Sequence, residues 1–304
     1  MWTSAGGPGF SAVGWLDTQK YLQTGDEQAS QGWTPIVLDY NGNGKRDEYT
    51  DLGKPADPTK DKRVMTGFYG VQTSPKDNSV WGQSMDVGFS RVDQPSFLIR
   101  MIPGSDPTHT ALAEIYQPPE GYYGLRGLDI DSKGVVWSVL SSGQMASFDR
   151  NKCKGPLTGP CLLYTSDAAD EGKHCPEGWT IYRFPGPQFK GVDDPNGSAE
   201  HAYYIAVDVE NTLGLGKDVP IALTNGGEAL LALVKGEWVS MRIPYPLGFF
   251  SKNADGRIDD PKAGWKGRGF WTTSGTRANF HGEGGVDAYP KVFKVQMRPN
   301  PLAH

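Results

Sequence analysis

Apolar positions in this chain come in short bursts and not at helical spacing. The runs 97–101, 144–149 and 291–297 alternate apolar and polar residues, the pattern of a half-buried strand. Residues 204–209, 220–224 and 230–234 read as further strands. Clusters rich in Gly, Pro, Asp and Asn separate them. Nothing sustains a 3.6-residue period over three turns. The pattern predicts mostly short antiparallel strands, with helix below about 10%.

One phrase recurs: an apolar–Trp step followed by small polar residues. It stands at Met1-Trp2-Thr3-Ser4, Val80-Trp81-Gly82-Gln83-Ser84, Val136-Trp137-Ser138 and Phe270-Trp271-Thr272-Thr273-Ser274. An Asp-bearing turn precedes the middle two, at residues 74–79 and 129–134. The Trp intervals are 79, 56 and 134 residues, the last about twice 67, so a unit without Trp fits around residues 203–233. Propeller blades repeat at roughly 40–50 residues, so these longer units imply loop insertions on the faces. The expectation is an all-β β-propeller, one domain over residues 1–304. About five blades are visible, as part of a six- or seven-bladed propeller.

The best copy, Gly127-Leu128-Asp129-Ile130-Asp131-Ser132-Lys133-Gly134-Val135-Val136-Trp137, resembles the blade core of the streptogramin lyase-like β-propeller superfamily. Over nearly its full length the chain also resembles a family of long secreted bacterial propellers. The phrases at residues 42–49, 146–155, 174–179 and 259–269 carry that likeness. The superfamily resemblance implies a channel His acting as base beside a carboxylate-held magnesium or other divalent ion, with more than one His drawn from separate blades. Of the five His here (His109, His174, His201, His281 and His304), only His281 closely follows a blade core, so that set does not map residue by residue.

The chain opens Met1-Trp2-Thr3-Ser4-Ala5-Gly6-Gly7, which reads as the inside of a strand running into a Gly turn, and not as a cationic-then-apolar leader. This predicts an N-terminally truncated fragment of a longer parent chain with other domains. A trimmed mature start is the alternative. Residues 161–171 interrupt a Gly/Pro loop and resemble a translated sequencing-adapter string of metagenomic assemblies. The alternative is a genuine helical insertion, and either way 156–174 is expected to be a surface loop. Cys161 lies inside that segment. Cys153 and Cys175 bracket the loop and read as a disulfide of an oxidising compartment, secreted or periplasmic, with two reduced thiols as the alternative. A zinc site is not expected, since only His174 adjoins the pair and the sequence offers no second C-x-x-C or H-x-H arm.

Composition narrows the class. The chain has 40 Gly and 23 Pro in 304 residues, too many turn formers for a helical bundle. Nine Trp, 13 Tyr and 12 Phe supply the apolar surface that a disordered chain lacks. The net charge of −5 leaves no basic field for nucleic acid, and no apolar run is long enough for a helical membrane span.

Two segments carry calcium-loop spacing. Asp39, Asn41, Asn43 and Asp47 place side-chain oxygens at loop positions 1, 3, 5 and 9. Gly44 stands at position 6, and Lys45 offers its carbonyl at position 7. Position 12 is Thr50, so the acidic ligand there is Glu48 or Asp51 displaced, or is absent. The second segment repeats the spacing with Ser251, Asn253, Asp255, Arg257 (by its carbonyl) and Asp259, with Gly256 at position 6. Ser at position 1 lowers its charge and expected affinity. A plain Asn-Gly or Asp-Gly turn is the alternative at each.

A propeller's small-molecule site lies at its channel mouth. The strand entries there carry Tyr123, Arg126, Arg268 and Arg277, which suit a small anionic or carboxylate ligand. Blade-bridging ion pairs are the other use of such Arg residues. His281 and Glu283, two apart in an extended segment, point the same way and could serve one metal or one substrate proton. A lactonase-type metal set would draw on Asp208, Asn225 and Glu228, which share one blade and form no ring. The leading expectation is a calcium-stabilised binding or scaffold module. The rivals are a metal-dependent lyase or hydrolase and a partner-docking propeller of a longer chain.

Overall fold

The computed structural model describes residues 1–4, 11–64, 66–84, 96–155, 157–159, 175–188, 197–225, 227–244, 249–257, 269–274 and 290–297. Within these residues the chain is strand-rich. Its α-helices are three short pieces of seven, four and four residues, in line with the absence of a sustained 3.6 period. It divides into two compact units, Met1–Leu125 with Phe148–Thr180 and Arg126–Ser147 with Ile181–His304.

The first unit begins with β1 (Trp2–Ser4), β2 (Ala12–Leu16) and β3 (Gln31–Pro35), an antiparallel sheet in chain order. Between β2 and β3 lie α1 (Thr18–Thr24) and α2 (Glu27–Ser30), each started by an Asp cap. Asp17 accepts from the Lys20 amide and Asp26 from the Ala29 amide. Next come β4 (Val37–Leu38), β5 (Tyr49–Thr50), β6 (Asp61–Arg63), β7 (Phe68–Thr73), β8 (Val80–Ser84), β9 (Leu98–Ile102) and β10 (Leu112–Tyr116). Strands β7 to β10 form an antiparallel meander, and β4 adds to the β10 edge in parallel. Beyond β4 lie β6 and then β5, so β6 is flanked by the two strands that precede it in the chain. The core here joins Val13, Ile36, Leu38, Phe68, Val80, Ile99 and Met101.

Strands β11 (Leu125–Ile130), β12 (Val136–Leu140), β13 (Gln144–Phe148) and β14 (Trp179–Arg183) form a four-stranded sheet in chain order. The second unit also holds β15 (Ala202–Asp208), β16 (Val219–Thr224), β17 (Ala229–Val234) and β18 (Glu237–Arg242), antiparallel and again in chain order. A last sheet pairs β19 (Ala254–Arg257), β20 (Gly269–Ser274) and β21 (Lys291–Val295). Sheets built from consecutive antiparallel strands, one after another along the chain, are the blade units of a β-propeller. The fold is all-β of this type.

The burial pattern departs from the expected alternation. β8, β13 and β16 are buried at every position, and β9 at all but its last. These strands are covered on both faces, which favours apolar and small residues throughout. β21 keeps the half-buried alternation.

The recurring Asp-turn and Trp phrase proves to be a turn-closing device. Asp131 Oδ1 accepts the amides of Lys133 and Val135, both at 2.9 Å, and its Oδ2 accepts the Trp137 indole N–H at 3.3 Å. Asp77 does the same through a relay. It accepts the Ser79 hydroxyl at 2.6 Å, and the Ser79 Oγ accepts the Trp81 indole at 2.9 Å. In the β15–β18 blade, where no apolar–Trp phrase follows the turn, Asp208 caps it by accepting the amides of Thr212 and Leu213.

Candidate functional site

The first calcium-type segment lies where β4 ends and β5 begins. Because β6 stands between those two strands, residues 39–48 must pass over the start of β6. Asp39, 2% exposed, sits at the inner end of this crossing and turns both carboxylate oxygens onto it. Oδ1 accepts the Asn43 amide at 3.1 Å and Oδ2 the Gly44 amide at 3.0 Å. Asn41 Oδ1 also accepts from the Asn43 amide at 3.2 Å, and Asn43 Oδ1 accepts from the Lys45 amide at 2.9 Å. The Asn43 side-chain Nδ2 donates to Asp47 Oδ2 at 2.5 Å. Gly44 has φ 74°, a left-handed conformation that glycine adopts without strain. The turn thus folds its oxygen-bearing side chains inward. The chain also clamps it from outside, since the Gly159 amide donates to the Asp39 carbonyl at 2.8 Å.

Neither acid proposed for position 12 turns toward this loop. Glu48 pairs with Lys60 at 2.5 Å, and Asp51 pairs with Arg63 at 3.2 Å. The carboxylate that does reach the loop is Asp61, the first residue of β6, which sequence reasoning missed. It is fully buried, and its Oδ2 accepts the Asp47 amide at 2.8 Å. Burial pushes its carboxyl up and the neighbouring Asp39 and Asp47 carboxylates raise it further, while the Asp47 and Tyr40 amides lower it. The donors here are all oxygens, which fits a hard cation such as calcium. Among the described residues, no group of three or more His, Cys, Asp or Glu side chains is arranged to hold a metal ion.

The second calcium-type segment takes a different form, which corrects the expectation of a loop. Asn253 leads directly into β19, and Asp255 and Gly256 pair across to Trp271 and Phe270 of β20. The Ser251 hydroxyl is fully buried and meets Thr272 Oγ1 at 2.5 Å and the Asn253 carbonyl at 2.9 Å. A strand cannot wrap its side chains around one ion, because residues two apart share a face but stand roughly 6–7 Å apart along a line and do not converge. Arg257 ends β19, and Asp259 lies outside the described residues.

The expected anion site divides likewise. Arg126, on β11, is 8% exposed. It donates to the Tyr203 hydroxyl at 3.2 Å and stacks 4.9 Å above that ring, with the Lys252 ammonium 5.3 Å from the same centroid. Tyr123 is half-buried in the first unit. Arg268, Arg277, His281 and Glu283 lie outside the described residues, as does Cys161. Cys153 and Cys175 are joined in a disulfide with Cα atoms 5.1 Å apart.

The lactonase-type trio is spread along its blade. Asp208 is opposite Val219 at one end of the β15–β16 pair, while Thr224, next to Asn225, is opposite Ala202 at the other. Glu228 Oε1 accepts the Phe249 amide, and Asp208 is occupied as a turn cap. These groups therefore cannot share one metal.

Sequence reasoning also passed over Asp129. It accepts the amides of Ile130 at 2.8 Å and Val207 at 2.7 Å. Burial pushes its carboxyl up to about 6, against those two hydrogen bonds, and Asp255 and Asp131 add to the rise. In the first unit a cleft of about 620 Å³ is lined by Trp2, Trp15, Lys20, Thr108 and His109 among others. His109 Nδ1 stands 2.7 Å from Asp106 Oδ2 there.

Among the described residues, these features define an all-β protein of propeller-type blades, with one oxygen-rich loop site and one disulfide. No protein-family model and no curated protein sequence matches the chain. Solved structures to which it is similar include a streptogramin B lyase, at 9% identity and TM-score 0.39, over 88% of this chain and 72% of that one. A catalytically inactive virginiamycin B lyase from Staphylococcus aureus with quinupristin aligns at 17% identity and TM-score 0.33, over 78% and 71%. A β-propeller domain from Myceliophteria thermophila aligns at 9% identity and TM-score 0.31, over 72% and 69%. The fold class rests on the sheets themselves.

Proposed function

We propose that the chain is a secreted or periplasmic binding or scaffold module whose residues 39–48 are held by calcium. The observation that carries this reading is Asp39. A carboxylate 2% exposed is aimed into a Gly-containing turn that also turns in the oxygens of Asn41 and Asn43. Lys45 would add its backbone carbonyl and Asp47 its carboxylate. The ion would supply charge neutralisation and fix the crossing from β4 to β5. It would have no catalytic part, since protein oxygens would occupy its coordination sphere. The disulfide supports an oxidising compartment.

The test is metal analysis of purified protein with a thermal melt in calcium and in chelator. Calcium that binds only the folded state stabilises by about 2.7 kcal/mol at a hundredfold excess over Kd. Equal melting temperatures in the two conditions would remove the calcium role.

A further inference from the structure

We propose that Asp61, lying 22 residues beyond Asp39, is the carboxylate ligand that completes this cation site. The proposal rests on the calcium reading of the loop and extends it to a non-local ligand. Three observations carry it.

The first is topological. β5 and β6 run parallel with Tyr49 opposite Asp61, and β4 and β6 run antiparallel with Leu38 opposite Lys62. The first residue of β6 therefore lies at the base of the 39–48 crossing. The second is an orphaned atom. Asp61 is fully buried, its Oδ2 holds the Asp47 amide, and its Oδ1 makes no hydrogen bond of full geometry among the described residues, the nearby Tyr40 amide donating to the Leu38 carbonyl instead. A buried carboxylate oxygen without a donor is costly, and a cation removes that cost.

The third is the disposition of the cations around it. Lys60 pairs with Glu48 and Arg63 with Asp51. Lys62 spends its ammonium on the carbonyls of Asp51 and Lys54, and Arg46 donates to Thr34. These four basic groups are directed elsewhere, and Lys45 of the loop is exposed, which leaves Asp39, Asp47 and Asp61 without an ion pair among the described residues. An ion from solvent would supply the counter-charge. Asp39 and Asp61 form a buried floor, and Asn43 and Asp47 are exposed, so an ion can enter from the solvent side.

Calcium titration calorimetry on wild type, Asp61→Asn and Asp39→Asn tests this, with melts in calcium and in chelator. Asp61→Asn keeps an acceptor for the Asp47 amide and removes the charge. It should weaken calcium binding at least tenfold and melt no lower than wild type in chelator. A residue that merely caps the Asp47 amide would instead leave affinity unchanged. Wild-type affinity in Asp61→Asn, with binding lost in Asp39→Asn, would overturn the role of Asp61 and leave the loop reading standing. No calcium binding by wild type would overturn both. Should Asp61→Asn fail to fold, terbium-soaked wild-type crystals decide by anomalous scattering. A peak within about 2.6 Å of an Asp61 oxygen supports the proposal, and a peak held by the loop alone overturns it.

Discussion

Residues 39–47 and 251–259 share one spacing of oxygen-bearing side chains and a Gly at the same place, yet only the first forms a turn around those oxygens. In the first, Asp39 has two oxygens and uses them on two successive amides, which closes the turn. In the second, Ser251 has a single hydroxyl, and Thr272 and the Asn253 carbonyl engage it. The glycines differ in purpose as well. Gly44 supplies a left-handed φ of 74°. Gly256 lies in β19, where an added Cβ would stand 2.7 Å from Thr212 Oγ1, so it is there for close packing. The same spacing therefore has two meanings, and the residue at position 1 together with the strand opposite decides between them.

The largest expected effect is at Asp39. Asp39→Ala removes two amide acceptors, each leaving a donor to be satisfied at about 1–3 kcal/mol, in calcium and chelator alike. It also removes the roughly 2.7 kcal/mol that calcium contributes at a hundredfold excess over Kd. If calcium raised the melting temperature of this variant as much as that of wild type, the contrast between the segments would collapse.

The disulfide sharpens the contrast. Cys175→Ser should cost roughly 3 kcal/mol in the chain-entropy account of a loop this size. It should also weaken calcium binding, because it frees the segment whose Gly159 amide clamps Asp39. Denaturant unfolding and calorimetry on the variant test both. Unchanged calcium affinity would show that the clamp is incidental.

The acids near the second segment differ in sign from a salt-bridged carboxylate. Asp129 has its folded value raised to about 6 from 3.8. Its contribution is therefore full below about pH 4 and is lost as pH rises through 6. Asp129→Asn should lose stability relative to wild type at pH 5 and regain on the order of 1–2 kcal/mol of that difference by pH 7. Glu114 behaves oppositely. The guanidinium groups of Arg150 and Arg100 overcome burial and hold it below the usual range, so its contribution is lost as pH falls. A pH-independent difference between wild type and Asp129→Asn would contradict the assignment.

The smallest effect is expected at Asp255. It is exposed on a strand, so Asp255→Ala should leave calcium affinity and the calcium-dependent melt unchanged. A drop in affinity would restore the second segment as a metal site.

Much of this was legible in the chain. The strands at 97–101, 144–149 and 204–234 fall where the pattern placed them, and the pairing of Cys153 with Cys175 followed from one short loop. The turn at 39–44 was legible too, because Asp, Asn and Gly there act on amides two to five residues away. Other features were set by neighbours distant in sequence. Asp61 meets Asp47 only because β6 inserts between β4 and β5. Asp255 became a strand residue because β20 pairs with it. Asp208 and Asn225 separated because the β15–β16 register sets them at opposite ends. Sheet register depends on which strands become neighbours, and local turn chemistry carries no information about that.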